Sequence, residues 1–61
     1  MKYVIIEEYE GVASFVDDQD SFNEAKLAVE RFCEGVKNTI YSDAKYSFIE
    51  VGKEINDAIS F

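Results

Sequence analysis

The chain lacks the cross-links that stabilise many domains of its size. Its 61 residues include a single cysteine, Cys33, and no histidine, which excludes disulfide scaffolds and zinc fingers. A folded domain this short buries only about 60% of the surface that the unfolded chain exposes. Hydrophobic residues make up 48% of the sequence, so the composition still predicts a folded chain rather than a disordered one. We therefore expect one domain over residues 1–61, of a size that often gains stability from a partner or a second copy.

Negative charge is concentrated near the start of the chain. Residues 1–24 contain seven acidic residues against Lys2 alone, a net charge of −6, whereas residues 25–61 contain six acidic and five basic residues, a net charge of −1. Phosphate backbones and anionic membranes repel such a chain, so neither nucleic acid nor a membrane is expected as a direct partner. Two interpretations of the acidic segment remain open: a solvated edge that keeps a small protein soluble, or a recognition surface for a basic protein.

The N-terminal part of the sequence predicts a β-hairpin. Residues 2–9 are rich in β-branched and aromatic side chains, which suit a pleated surface, and residues 12–16 predict a second strand with Phe15 as its large apolar residue. Gly11 lies between them and readily adopts the positive φ that a tight turn requires. The polar run over residues 17–20 interrupts the strand pattern and predicts a loop.

A helix over residues 21–34 is predicted by periodicity and by a capping signal. Ser21 stands three residues before Glu24, the spacing of a capping box, and Gly35 is expected to end the helix. Phe32 lies near the centre of the apolar stripe and is expected to be buried. The stripe consists of apolar residues at positions 22, 25, 28, 29, 32, 33 and 36.

The C-terminal third fits two templates. Apolar residues at helical spacing favour a second helix over residues 43–59, namely Tyr41, Ala44, Phe48, Val51, Ile55 and Ala58. The composition of residues 45–51 also suits a third strand followed by a short helix or a fourth strand, although neither of its alternating faces is uniformly apolar. We therefore predict an α+β fold in the order ββαα, with ββαβ as the alternative.

The residue types present give little support for catalysis or metal binding. A catalytic cleft with a tuned acid and base is not expected in a short chain without histidine. The acidic run suggests the start of a calcium loop, but counting from Asp18 or from Asp20 places Phe22 where an oxygen ligand is required. Cys33 lies at the edge of the helical stripe and is expected to be a small buried hydrophobe. We expect no enzyme activity, no metal and no cofactor.

Some apolar residues fall outside the predicted core and, with the acidic segment, indicate a protein-binding function. Leu27 lies opposite the apolar stripe of the first helix, and Tyr46 and Ile49 lie off the stripe of the second; apolar anchors surrounded by charge are typical of interfaces. The leading hypothesis is a non-enzymatic module that inhibits or modulates a partner by occupying its basic surface, for example one that binds nucleic acid. The alternative is a homo-oligomeric structural or accessory subunit. The candidate partner-binding residues are Glu7, Glu8, Glu10, Asp17, Asp18, Asp20, Leu27, Tyr46 and Ile49.

The Glu7-Glu8 pair and the acidic run over residues 17–20 also carry a resemblance of type. In size, acidity and lack of catalytic residues, the chain resembles the small inhibitors that bacteriophages make against host enzymes and defence systems, among them anti-CRISPR and anti-restriction proteins and inhibitors of host polymerase. The resemblance matches no family motif and carries over no site residue; it implies a nucleic-acid mimic in the host cytoplasm. The lone Cys33 and an N-terminus without the features of a signal peptide predict the same compartment.

Overall fold

The computed structural model of the chain describes residues 2–54 and 58–60, which form an antiparallel sheet with one helix packed on one of its faces. The strands lie side by side in the order β2-β1-β3-β4. The α+β class is confirmed, and the order of elements matches the ββαβ alternative. The elements are β1 (Tyr3–Tyr9), β2 (Val12–Gln19), α1 (Phe22–Val36), β3 (Lys45–Glu50) and β4 (Ile59–Ser60).

The predicted second helix over residues 43–59 is wrong. Its first half contains β3, which pairs with β1 from Tyr3↔Glu50 to Glu8↔Lys45. Its last residue, Ile59, begins β4, and residues 55–57 lie outside the described part of the chain. The faces of β3 are not uniformly apolar because the strand buries residues on both of them: Tyr46 and Phe48 pack against α1, and Ile49 is buried on the other face. A strand that is buried on both faces need not alternate between apolar and polar residues.

The predicted hairpin is confirmed, and its loop has the geometry expected for a two-residue turn. Tyr9 pairs with Val12, and the intervening Glu10 and Gly11 have φ values of 52° and 80°. Positive φ at both central residues is typical of the type I′ turn, whose twist matches that of the flanking strands. Glycine has no Cβ, so Gly11 adopts the positive φ of the second central position at no steric cost.

Strand β2 is longer than predicted, because Asp17, Asp18 and Gln19 belong to it and not to a loop. These residues pair with Tyr3–Ile5 on β1. The register shifts between Ile5↔Asp17 and Ile6↔Phe15, which leaves Val16 as the extra residue of a β-bulge. Backbone pairing extends the strand through a polar run because β2 lies at the edge of the sheet, where its side chains reach solvent.

The core lies between α1 and the middle of the sheet. Its buried members are Ile5, Ala25, Ala28, Val29, Tyr46 and Phe48. The Phe48 ring makes edge-to-face contacts with Tyr3 and Phe22, at centroid distances of 6.0 and 5.2 Å. Phe32 was expected to be buried; it is half-buried and stacks on Tyr46 at 5.2 Å. Cys33 is likewise half-buried and packs against the core.

The predicted N-cap of α1 is confirmed, and the Glu24 carboxylate, which in a capping box accepts from the backbone N–H of the N-cap residue, here accepts from the Ser21 hydroxyl. Ser21 is the N-cap: its Oγ accepts a hydrogen bond from the backbone N–H of Glu24 at 3.2 Å and donates one to the Glu24 carboxylate at 3.1 Å. The two side chains thus support each other within the first turn, which satisfies one of the N–H groups that have no partner in a helix.

The end of α1 differs from the prediction, because the helix continues through Gly35 to Val36. The Val36 carbonyl accepts hydrogen bonds from the backbone N–H of Thr39 at 3.0 Å and from its hydroxyl at 2.8 Å. Since Thr39 satisfies this terminal carbonyl, the helix ends without a glycine in the left-handed conformation.

Replacing Ser21 with Ala is expected to lower the free energy of unfolding by about 0.5–2 kcal/mol, because the N–H of Glu24 loses its acceptor. Glu24→Ala should have a smaller effect, and the double variant should lose less than the sum of the two, since both side chains belong to one hydrogen-bonded unit. Urea denaturation of the three variants measures this. Strictly additive losses would contradict a capping box.

Candidate partner-binding surface

One face of the sheet is covered by α1, and no helix among residues 2–54 and 58–60 lies on the other. Residues paired directly across antiparallel strands point to the same side, and neighbours along a strand point to opposite sides. Because Ile5 and Phe48 pair in the core beneath α1, the adjacent pair Val4↔Ile49 lies on the opposite face. We call this opposite face the open face. The pairing registers assign to it Val4, Ile6, Glu8, Ala13, Phe15, Asp18, Lys45, Ser47 and Ile49.

The open face carries an apolar groove of about 630 Å³. Ile6 and Ile49, which are only 4% and 7% exposed, help to form its floor. Phe15 and Val51 also line it but are 73% and 52% exposed. The groove therefore has a packed floor and a projecting aromatic wall, so an apolar group placed against Phe15 would remove a large apolar area from water.

Three of the candidate carboxylates lie on or beside this face. Glu8 points to it from β1, Asp18 points to it from β2 and lines the groove, and Glu10 is exposed in the hairpin loop. Lys45, in register with Glu8, and Lys53, which also lines the groove, contribute the basic side chains of this region. The result is an apolar centre with carboxylates at its edge, the usual arrangement of an interface patch.

The other acidic candidates lie off the open face, although Asp17 also lines the groove. Glu7 alternates with Glu8 along β1 and points to the side of α1, where its carboxylate accepts a hydrogen bond from the Tyr46 hydroxyl at 2.5 Å. Asp17, in register with Ile5, accepts one from the Gln19 side-chain amide at 2.9 Å. Asp20 is exposed just after the end of β2. Glu7 and Asp17 are therefore held by neighbouring side chains of the chain itself.

The three apolar candidates also lie in different parts of the fold. The expectation that Tyr46 and Ile49 are exposed is wrong: Tyr46 is 2% exposed in the core, and Ile49 belongs to the groove floor. The error follows from the predicted second helix, which placed both off its apolar stripe. Leu27 is exposed, as expected, but on α1 and hence on the layer opposite the open face. Phe15 was recognised from the sequence only as a strand residue, because its exposure depends on where α1 packs.

Tyr46 and Glu7 form a polar contact at the margin of the core. Burial of the Tyr46 ring, its hydrogen bond to Glu7 and the negative charge of that carboxylate raise the pKa of Tyr46 to about 12. The phenol therefore stays protonated at neutral pH and remains the donor to Glu7. This pair joins the middle strands β1 and β3 on the side of α1.

Stability is expected to fall at high pH because of Tyr46. Its folded-state pKa of about 12 lies above the ordinary value of 10.0, so the folded chain holds this proton more tightly than the unfolded chain does. The stabilisation is complete below pH 10 and is lost as the pH rises to about 12. Urea midpoints measured from neutral to high pH should decline more steeply for the natural chain than for Tyr46→Phe. The variant should still show some decline, because its remaining tyrosines and lysines titrate. Equal declines would contradict this role.

Two further features are absent from the described part of the chain. Within residues 2–54 and 58–60, no group of three or more His, Cys, Asp or Glu side chains is placed to hold a metal ion. In the same part of the chain no helix has the length and apolar character needed to cross a membrane. Comparison of the chain with known proteins found no match among protein-family models, curated proteins or solved structures.

Proposed function

We propose that this protein is a small non-enzymatic binding module that occupies a basic surface of a partner protein. The observation that carries the proposal is Phe15: an aromatic side chain that is 73% exposed beside an apolar groove, on a hairpin rich in carboxylates. Exposed aromatic residues at the centre of a patch with a charged rim are typical energetic anchors of protein interfaces. The open face supplies the anchor and the hairpin supplies the charge.

The sign of the charge selects the partner. A segment with a net charge of −6 over residues 1–24 attracts a basic protein surface and accelerates association with it. Many basic surfaces bind the phosphate backbone of nucleic acid, and the carboxylates of this hairpin present the same sign of charge. We therefore propose an inhibitor or modulator that competes with nucleic acid, of the kind that bacteriophages direct against host enzymes and defence systems, acting in the cytoplasm.

The test compares two variants that lose the same charge from opposite layers. Glu8→Gln with Asp18→Asn removes two carboxylates from the open face, and Glu30→Gln with Glu34→Gln removes two from exposed positions on α1. Both change the net charge from −7 to −5. Each variant and the natural chain are immobilised, exposed to bacterial lysate at low and high salt, and the retained proteins are quantified by mass spectrometry.

We expect a retained basic protein whose capture falls with the open-face variant and with added salt, and is unchanged by the helix variant. Added nucleic acid should release it. Capture that is insensitive to salt and equal for all three chains would overturn the proposal. Self-association of the natural chain in sedimentation experiments, with no basic protein retained, would instead support a homo-oligomeric subunit.

A further inference from the structure

Strand β2 is an open edge of the sheet. The strand order β2-β1-β3-β4 places it at one end, where it pairs with β1 on one side. Among residues 2–54 and 58–60, no strand pairs with its other side. It is eight residues long, Val12–Gln19. An edge strand of this length presents a row of unpaired backbone donors and acceptors, to which another extended chain can add.

The hairpin geometry identifies which backbone groups face outward. Tyr9↔Val12 closes a two-residue loop, and such a closing pair exchanges both of its hydrogen bonds. Hydrogen-bonded pairs alternate along an antiparallel ladder, so Glu7↔Ser14 is the next such pair. The N–H and C=O groups of Ala13 and Phe15 therefore point away from β1.

The bulge at Val16 divides this edge into two parts of different chemistry. The first part, Val12–Phe15, has no charged side chain, and its Phe15 ring stands at the groove. The second part, Asp17–Gln19, contains two carboxylates. Charges and bulges are the common means by which proteins protect an edge strand from pairing. Here they leave the apolar part next to the turn unprotected.

We propose that an extended segment of the partner adds to the outer edge of β2 as a further strand, with apolar residues beside Val12–Phe15 and Lys or Arg beside Asp17 and Asp18. Side chains that face each other on adjacent strands lie about 4.5–5.5 Å apart at Cβ, close enough for these charges to pair. Alternate apolar residues of the added strand fall on the open face and pack against Phe15. The choice of a basic partner rests on the proposed function; the mode of binding rests on the edge itself.

Charge decides between a partner segment and a second copy of this chain. Pairing two β2 edges would bring together two chains of net charge −7, with the acidic hairpins of both at the contact. A basic segment gains from the same carboxylates. The occupant is therefore an extended basic-apolar segment of another protein.

The test uses a synthetic probe and reads the backbone of β2 directly. The probe is an acetylated ten-residue peptide that alternates Thr with Val in one half and Thr with Lys in the other; the control peptide has Glu in place of Lys. Amide signals of the isotope-labelled natural chain are followed by NMR during titration, together with their hydrogen exchange. We expect saturable shifts along Val12–Gln19, slowed exchange of the Ala13 and Phe15 amides, and no binding of the Glu peptide.

The variant Ala13→Pro removes an outward N–H without removing a hydrogen bond to β1, since proline is tolerated on the free side of an edge strand. Its fold is checked by circular dichroism, and peptide binding should weaken about tenfold. Shifts confined to the groove residues, unchanged exchange at Ala13 and Phe15, or a β2-paired dimer in the natural chain would each overturn strand addition. If the protein captured from lysate still binds to Ala13→Pro while the peptide shows no edge contact, strand addition fails and the proposed function stands.

Discussion

Replacing Phe48 with Ala is expected to leave the chain largely unfolded at room temperature. Phe48 is 0% exposed at the centre of the core, where its ring contacts Tyr3 and Phe22. Truncating a buried phenylalanine costs about 3–5 kcal/mol, and a core of this size rarely supplies more than about 3–5 kcal/mol in total. Far-UV circular dichroism and urea denaturation measure the loss.

The matched control for this variant is Leu27→Ala. Leu27 is 51% exposed on α1, so its truncation should change the free energy of unfolding by no more than about 0.5 kcal/mol. A Phe48→Ala chain that keeps its circular dichroism signal and a cooperative transition close to that of the natural chain would show that the core does not depend on this ring.

Replacing Phe15 with Ala is expected to accelerate dissociation from the captured partner without unfolding the protein. The ring is 73% exposed and lies outside the core beneath α1, so it contributes little to folding. Buried in an interface, an aromatic anchor is worth about 2 kcal/mol or more, which corresponds to about a 30-fold faster dissociation. Lost apolar contacts act mainly on this rate, whereas the carboxylates at Glu8 and Asp18 should act mainly on association.

Surface plasmon resonance with the captured partner separates these effects. Leu27→Ala again serves as the control, because Leu27 lies on the opposite layer from the groove. Unchanged dissociation for Phe15→Ala, together with faster dissociation for Leu27→Ala, would place the interface on the outer side of α1 and contradict the proposed surface.

The sequence predicts the charged part of the candidate surface but not its apolar part. The acidic segment and its division between two faces were predictable, because alternation along a strand fixes that Glu7 and Glu8 point to opposite sides. The sequence does not predict which of the two faces stays open, because this depends on the side on which α1 packs. The sequence pattern therefore does not single out Phe15 as an anchor, and it wrongly indicates Tyr46, which packs beneath α1.

By itself, the sequence determined the features that depend on a few neighbouring residues. The Glu10-Gly11 turn follows from the conformational freedom of glycine, and the start of α1 follows from the reach of the Ser21 side chain to Glu24. The conformation of Lys45–Glu50 is decided by the tertiary structure, because local spacing favours a helix over residues 43–59 and the segment is nevertheless a strand. Pairing with β1 selects the extended conformation, because a strand buries Tyr46 and Phe48 under α1 and also buries Ile49 in the groove floor. A helix would have left the backbone groups of β1 on that side without a partner, and long-range hydrogen bonding of this kind is invisible to local periodicity.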